Sequence, residues 1–163
     1  MKTAPVPANE QERLEAVKKL GILDTKPEKR FDLITKEACK RLQVPISTIT
    51  IIDKDREWYK SCQGLKVKQG NRDASFCGHA MLSPLIFIVE DTLKDERFFD
   101  NPMVVNPPFI RFYAGIALHE PFNNLPIGAL CVKDYKPHKM TKEEINILME
   151  LAKKAEKELA KKQ

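Results

Sequence analysis

The chain has 163 residues, 42% of them hydrophobic and 31% charged, with a formal net charge of +5. That length suits one domain with a core of its own, and that composition excludes a disordered chain. No apolar run approaches the roughly 20 residues of a membrane-spanning helix, and the opening Met1-Lys2-Thr3-Ala4-Pro5 lacks the apolar stretch of a secretion signal. A cytoplasmic domain without membrane contact is therefore expected.

Asn9 with Glu12 has the spacing of a capping box, which predicts a helix carrying Leu14, Val17 and Leu20 on one side and stopping at Gly21. Thr25 with Glu28 repeats the pattern and predicts a second helix with an inner face of Phe31, Ile34, Ala38 and Leu42. Pro45 ends that helix near Val44. Ile46 to Ile52 alternates isoleucine with serine and threonine and reads as a strand, and Glu57 to Ser61 or Cys62 returns as its hairpin partner. Gln63 to Ser83 reads as loop leading into a short helix, and Leu85 to Val89 as a third, more buried strand.

Asp91 to Pro108, punctuated by Pro102, Pro107 and Pro108, is predicted to be irregular, and a connection of that length usually binds something. Phe112 to His119 and Ile127 to Asp134 form a second hairpin. Thr141 with Glu144 is a third capping box, opening a last helix that runs nearly to Gln163. Its Ile145, Leu148, Ala152, Ala155 and Leu159 are spaced as a heptad seam, which predicts a homodimer through this helix. The order of elements gives one α+β domain over 1–163: a flexible N-terminus (1–8), N-terminal helices (9–44), sheet and pocket (45–135) and a C-terminal helix (141–161).

From Lys136 onward eight lysines face five glutamates, without an arginine stripe or aromatic platform, so this reads as a solvated helix face and not a nucleic-acid surface. Cys39, Cys62, Cys77 and Cys131 include no C-x-x-C pair, so a zinc site has no support. They read as buried reduced thiols, with a redox role for one of them as the alternative.

Several blocks in order resemble the GAF domain family of bacterial and archaeal regulators. They are Asp53-Lys54-Asp55-Arg56-Glu57-Trp58-Tyr59-Lys60-Ser61, Arg72-Asp73-Ala74-Ser75-Phe76-Cys77-Gly78-His79-Ala80, Val89-Glu90-Asp91 with Asp95-Glu96-Arg97-Phe98, Ile110-Arg111-Phe112-Tyr113-Ala114-Gly115, and Ile127-Gly128-Ala129-Leu130-Cys131-Val132-Lys133-Asp134. The resemblance implies an antiparallel sheet of about six strands, with helices behind it and a ligand pocket in front. It also implies a sensory domain working with a histidine kinase, a cyclase or a similar regulator, and not itself an enzyme.

Carried onto that pattern, the pocket lies between Arg72 to Ala80, Asp91 to Pro108 and Arg111 to Ala117. Its candidate ligand-binding residues are Arg72, Asp73, Ser75, Phe76, Cys77, His79, Asp91, Arg111, Phe112 and Tyr113, around an unidentified small molecule. Arg111 has two readings, a fork for a carboxylate or phosphate and a structural ion pair with Asp73 or Asp91. His79 has two as well, a ligand or metal contact and a hydrogen-bonded histidine in a short helix. Asp95 with Arg97 reads as a loop pin, and Trp58 as a packing residue. Gly78 separates Cys77 from His79, so the adjacent Cys-His pair of bilin-binding members is absent, and neither haem, bilin nor metal is indicated. Two alternatives stand beside the sensor: a thiol enzyme of the free methionine sulfoxide reductase type, for which Cys62 and Cys77 are the candidate thiols, and a structural dimerisation module without a ligand.

Overall fold

The computed structural model describes residues 1–161 and folds as one six-stranded antiparallel sheet with five α-helices. In chain order the elements are α1 (Glu10–Leu20), α2 (Lys29–Leu42), β1 (Ile46–Ile52), β2 (Arg56–Gln63), β3 (Gln69–Asn71), α3 (Phe76–Ala80), β4 (Phe87–Val89), α4 (Pro102–Val105), β5 (Phe112–His119), β6 (Pro126–Asp134) and α5 (Lys142–Ala160). The strands lie in the order β3-β2-β1-β6-β5-β4, so the first and last long strands meet at the centre. Among the described residues no helix is long and apolar enough to cross a membrane.

Period-two alternation sends the strand side chains to two separate cores. On the back face Ile49, Ile51, Phe112, Ala114, Leu130 and Val132 pack with Val17 of α1, Phe31, Ile34 and Ala38 of α2, and Leu148, Leu151 and Ala155 of α5. On the front face Ile46, Ile52, Tyr113, Ala129 and Cys131 pack with Phe76, Cys77 and Ala80 of α3, Val104 of α4, and Phe98 and Ile110 of the long connection. Both faces are covered, which explains why β1 is buried at every position instead of at every second one.

Sequence pattern and structure differ at the helix starts. Asn9 makes no side-chain cap to α1, and Glu10 of the first turn, not Glu12, is engaged, receiving Arg13 and Arg72. Thr25 does not cap α2 either. Its hydroxyl donates to the Ile22 carbonyl at 2.6 Å and accepts Lys60 Nζ at 2.8 Å. The buried ammonium of Lys60 outcompetes a helix cap there, collecting the Lys26 carbonyl at 2.7 Å and the Glu28 carboxylate at 2.6 Å as well. The capping box of Thr141 and Glu144 forms as expected, with Glu144 N–H donating to Thr141 Oγ1 at 3.1 Å and Thr141 N–H to Glu144 Oε1 at 2.9 Å. Gly21 ends α1 in the left-handed region at φ 67°.

One further expectation needs correction. Leu85 is 75% exposed and outside any strand, and β4 covers only Phe87–Val89. In α5, Leu148, Ala152, Ala155 and Leu159 are buried in the chain's own back core, and Ile145 is half-buried. The alanines are small because the helix lies close on α2 and the sheet. The outward face carries Met149, Glu150, Lys153, Lys154 and Lys157 instead.

Gly128 sits where β6 crosses β1, and a Cβ there would stand 1.8 Å from the Thr50 carbonyl oxygen. Gly128→Ala is expected to destabilise the domain by about 3 kcal/mol or more, since backbone must move, whereas Thr141→Ala costs about 1 kcal/mol as a lost cap. Urea unfolding followed by circular dichroism ranks the two.

Candidate functional site

Of the space expected between the three segments, the part between α3 and β5 is occupied by side chains, whereas Asp73 and Ala74 of the first segment and Pro102, Met103, Pro107 and Pro108 of the second line an open cleft. Phe76 stacks on Phe98 with ring centroids 4.3 Å apart, and Tyr113 lies 5.2 Å from Phe76. Phe87 and His79 close the same cluster, His79 at 5.0 Å from Phe98. Phe76, Cys77, Ser75 and Tyr113 are all buried. Tyr113 reaches across Gly115 on its own strand to donate to Cys77 Sγ at 3.1 Å. A Cβ on Gly115 would meet Tyr113 Oη at 2.3 Å, so that glycine is what lets the ring lie down.

The remaining candidates scatter. Arg72 holds Glu10 and the Asp53 carbonyl, tying α1 to the β1–β2 turn. Arg111 pairs with neither Asp73 nor Asp91; its guanidinium donates to the carbonyls of Val104 at 2.9 Å and Ile110 at 3.2 Å, bracing α4. His79 shares a 2.9 Å hydrogen bond with the Lys2 carbonyl, and burial lowers its pKa. Asp91 caps the turn at Thr92–Lys94 through Leu93 N–H at 3.1 Å and lines a shallow groove with Lys94 and His138. Phe112 faces the back core against His138, because its neighbour Tyr113 takes the front. Asp95 and Arg97 pair at 2.7 Å as a loop pin, and Trp58 packs in the back core.

The open cleft lies one step aside, toward the β3 edge, where α3 and α4 are too short to cover the sheet. It has a volume of about 500 Å³. Its floor is Glu57 and Tyr59 of β2 with Gln69 and Gly70 of β3; Leu65 and Val67 form one wall, and Pro102, Met103, Pro107 and Pro108 the other. The Pro107–Pro108 bond is cis. Asp73 alone among the predicted ligand residues lines it. Among the described residues no Lys, Arg or His side chain does, but Met1 does, and its terminal ammonium pairs with Asp100. The surface is mostly apolar, with two carboxylates and the amides of Gln69 and Asn71.

Glu57 marks the inner end of this cleft. Its carboxylate accepts Tyr59 Oη at 2.7 Å and Ser75 Oγ at 2.6 Å. Ser75 is also the N-cap of α3, accepting Gly78 N–H at 3.0 Å. Burial, reinforced by the Glu57 charge and hydrogen bond, raises the Tyr59 pKa, so the phenol stays a donor. A direct hydrogen-bonded path thus joins the cleft floor to α3. The sequence signal for Glu57 and Tyr59 was the strand alternation of β2, which puts both on the face opposite Trp58.

A six-stranded antiparallel sheet with a helical layer behind and short helices in front defines an α+β sandwich. The chain belongs to the GAF domain family, which matches residues 26–159. It is 40% identical over 137 residues to a cyclic di-GMP phosphodiesterase of Pseudomonas aeruginosa; the match covers 84% of this chain and 23% of that protein's length. Among solved structures, the GAF domain of an Acinetobacter phosphoenolpyruvate-protein phosphotransferase superposes with a TM-score of 0.61 at 16% identity, over 91% of this chain and 92% of that one. The free methionine-R-sulfoxide reductase of Neisseria meningitidis superposes with a TM-score of 0.63 at 15% identity, over 98% and 96%. At these identities the two structures share the fold and no more.

Glu10 gives a pH prediction. Burial alone would raise its pKa, but the hydrogen bonds and charges of Arg13 and Arg72 outweigh it and lower the pKa from 4.5 to about 2. The folded value is the depressed one, so this contribution is complete above pH 4.5 and disappears as pH falls toward 2. The melting temperature of wild type is expected to fall more steeply than that of Glu10→Gln between these limits; parallel curves would contradict the pairing.

Proposed function

We propose that this chain is a small-molecule-sensing regulatory domain whose ligand occupies the cleft over Glu57 and Tyr59. The observation that carries the reading is the cleft itself: about 500 Å³, within the roughly 300–1,000 Å³ of small-molecule sites, apolar with a few placed polar groups. Its lining also narrows the ligand class. Glu57 and Asp73 stand in it with no Lys, Arg or His among the described lining residues, and the Met1 ammonium at its rim is held by Asp100, so a phosphate would find carboxylates and no guanidinium fork. A neutral or cationic molecule with an apolar body fits, its donor group turned to Glu57.

The chain spans about 23% of the length of the curated relative it matches. We therefore take it as the sensory part of signalling, with a phosphodiesterase, kinase or cyclase as the partner whose activity it sets, and no chemistry of its own on that output. A ligand group that competes with Ser75 for Glu57 loosens the cap of α3, whose buried residues pack on β5 and β6. The sheet then carries the change to the α2 and α5 layer. A homodimer through α5 would use its outward face, which carries Met149, Glu150, Lys153, Lys154 and Lys157, so the helical layer is the element through which the output leaves the domain. Ligand must favour one arrangement of α3 over the other for any signal to exist.

Thermal shift tests the ligand class. Arylalkyl amines and neutral aromatics at about 100 times Kd are expected to stabilise the chain by about 2.7 kcal/mol, with cyclic nucleotides inert. Ala74→Phe, which fills the cleft, should abolish the shift. Stabilisation by nucleotides that survives Ala74→Phe would remove the proposal.

A further inference from the structure

Ahead of α1 the chain runs as a strap from the back layer to the front. Its near end is fixed to α1, which packs on the back core through Val17, because the Pro7 carbonyl accepts Glu10 N–H at 3.1 Å. Its far end lies across α3. Lys2 is the central rung: its N–H donates to the Arg97 carbonyl at 3.0 Å, and its own carbonyl accepts His79 Nε2 at 2.9 Å. A carbonyl only accepts, so Nε2 carries the proton. Thr3 Oγ1 donates to the Asp73 carbonyl at 3.3 Å. Ala4 passes over Gly78, where a Cβ on the glycine would stand 3.5 Å from Ala4 Cβ. Met1 reaches the rim of the cleft, and its ammonium pairs with Asp100.

These contacts join three parts of the front layer that are separate in the chain: the turn holding Asp73, α3 itself, and the connection at Arg97 and Asp100. With five residues, α3 is too short to hold its own conformation. Apart from its apolar packing, it is restrained by the Ser75 bond to Glu57 and by the strap. The strap itself buries little. Met1, Lys2 and Thr3 are exposed and Ala4 is half-buried, so it is held by a few hydrogen bonds that water can replace, each of small net worth. Pro5 and Pro7 limit the conformations open to it once released, which favours its return.

We propose that Met1–Ala4 is a latch on α3: docked, it holds the arrangement in which Ser75 bonds Glu57, and a ligand that loosens the Ser75 cap must release the strap as well. The restraint on α3 stands by itself, whereas its coupling to a ligand rests on the cleft reading above. A molecule that fills the cleft meets the strap at Met1 and its anchor at Asp73, both of which line that space. The strap therefore acts against the ligand, and a chain without it needs less ligand for the same response.

Hydrogen exchange of the full chain and of a variant lacking Lys2–Ala4 tests the latch. The amides of Gly78, Met81 and Leu82 bond to Ser75 Oγ and to the carbonyls of Cys77 and His79. Without ligand they are expected to exchange roughly tenfold faster in the variant, the equivalent of one or two net hydrogen bonds, while Leu148 and Ala152 of α5 keep their rates. His79→Phe keeps the ring contacts with Phe87 and Phe98 but loses the bond to Lys2, and a smaller increase is expected at the same amides. Unchanged exchange in α3 overturns the latch. So does a rise of equal size in α5, which would mark a general loss of stability. Should the shortened chain not fold, the same readout in His79→Phe decides. Phenethylamine is expected to bind the shortened chain more tightly, by the factor gained in exchange. Equal affinity overturns the coupling to ligand; binding to neither chain refutes the cleft reading, and the exchange result then supports the latch alone.

Discussion

Where the sheet is covered on both faces, no solvent reaches the charges carried on its strands, and each must be settled where it stands. Lys60, buried on the back, is settled by Glu28, Thr25 and the Lys26 carbonyl. Glu57, buried on the front, is settled by Tyr59 and Ser75. Lys133 has no hydrogen-bond partner among the described residues, and it feels the Glu57 charge instead. The rest of the molecule follows from these accommodations: the loop before α2 folds around Lys60, and α3 is anchored through Ser75 to Glu57. Charges left unpaired in such an interior cost several kcal/mol each, so their partners are fixed as firmly as any apolar contact.

The position of the cleft has a geometric cause. The back layer is built of helices long enough to span the sheet, whereas the front layer is the five-residue α3, the four-residue α4 and the connection between them. These cover β1, β6 and β5 with an aromatic cluster and stop short of β2 and β3. What is left uncovered is an apolar strip with a carboxylate at its inner end. Fold membership alone would not place it there, because related sheets can be filled differently by a few aromatic side chains.

Most of the fold was legible in the sequence because periodicity is a local signal. The bounds of β1, the inner face of α2, the stop at Gly21 and the capping box of Thr141 with Glu144 all follow from neighbours in the chain. The cap assigned to Thr25 failed because a distant charge, Lys60, took its hydroxyl, and the box assigned to Asn9 with Glu12 did not form, Arg72 engaging Glu10 instead. The site was less legible. Arg111 and His79 have the chemistry of ligand groups, yet carbonyls from α4 and from Lys2 claim them. Phe76 and Tyr113 point into the expected pocket and fill its part between α3 and β5, which depends on Gly115 lacking a side chain. The seam of α5 had the right spacing for a partner helix, but spacing does not distinguish a partner from the chain's own sheet.

The central claim is that occupancy of the cleft is felt at α3 through Glu57 and Ser75. Amide chemical shifts during titration with phenethylamine measure this directly. The account predicts that Gly78, whose N–H donates to Ser75, moves together with Gly70 and Val67 along one binding curve, and that Glu57→Gln removes the Gly78 response. Shifts confined to the groove around Asp91 and His138, with Gly78 stationary, would contradict it.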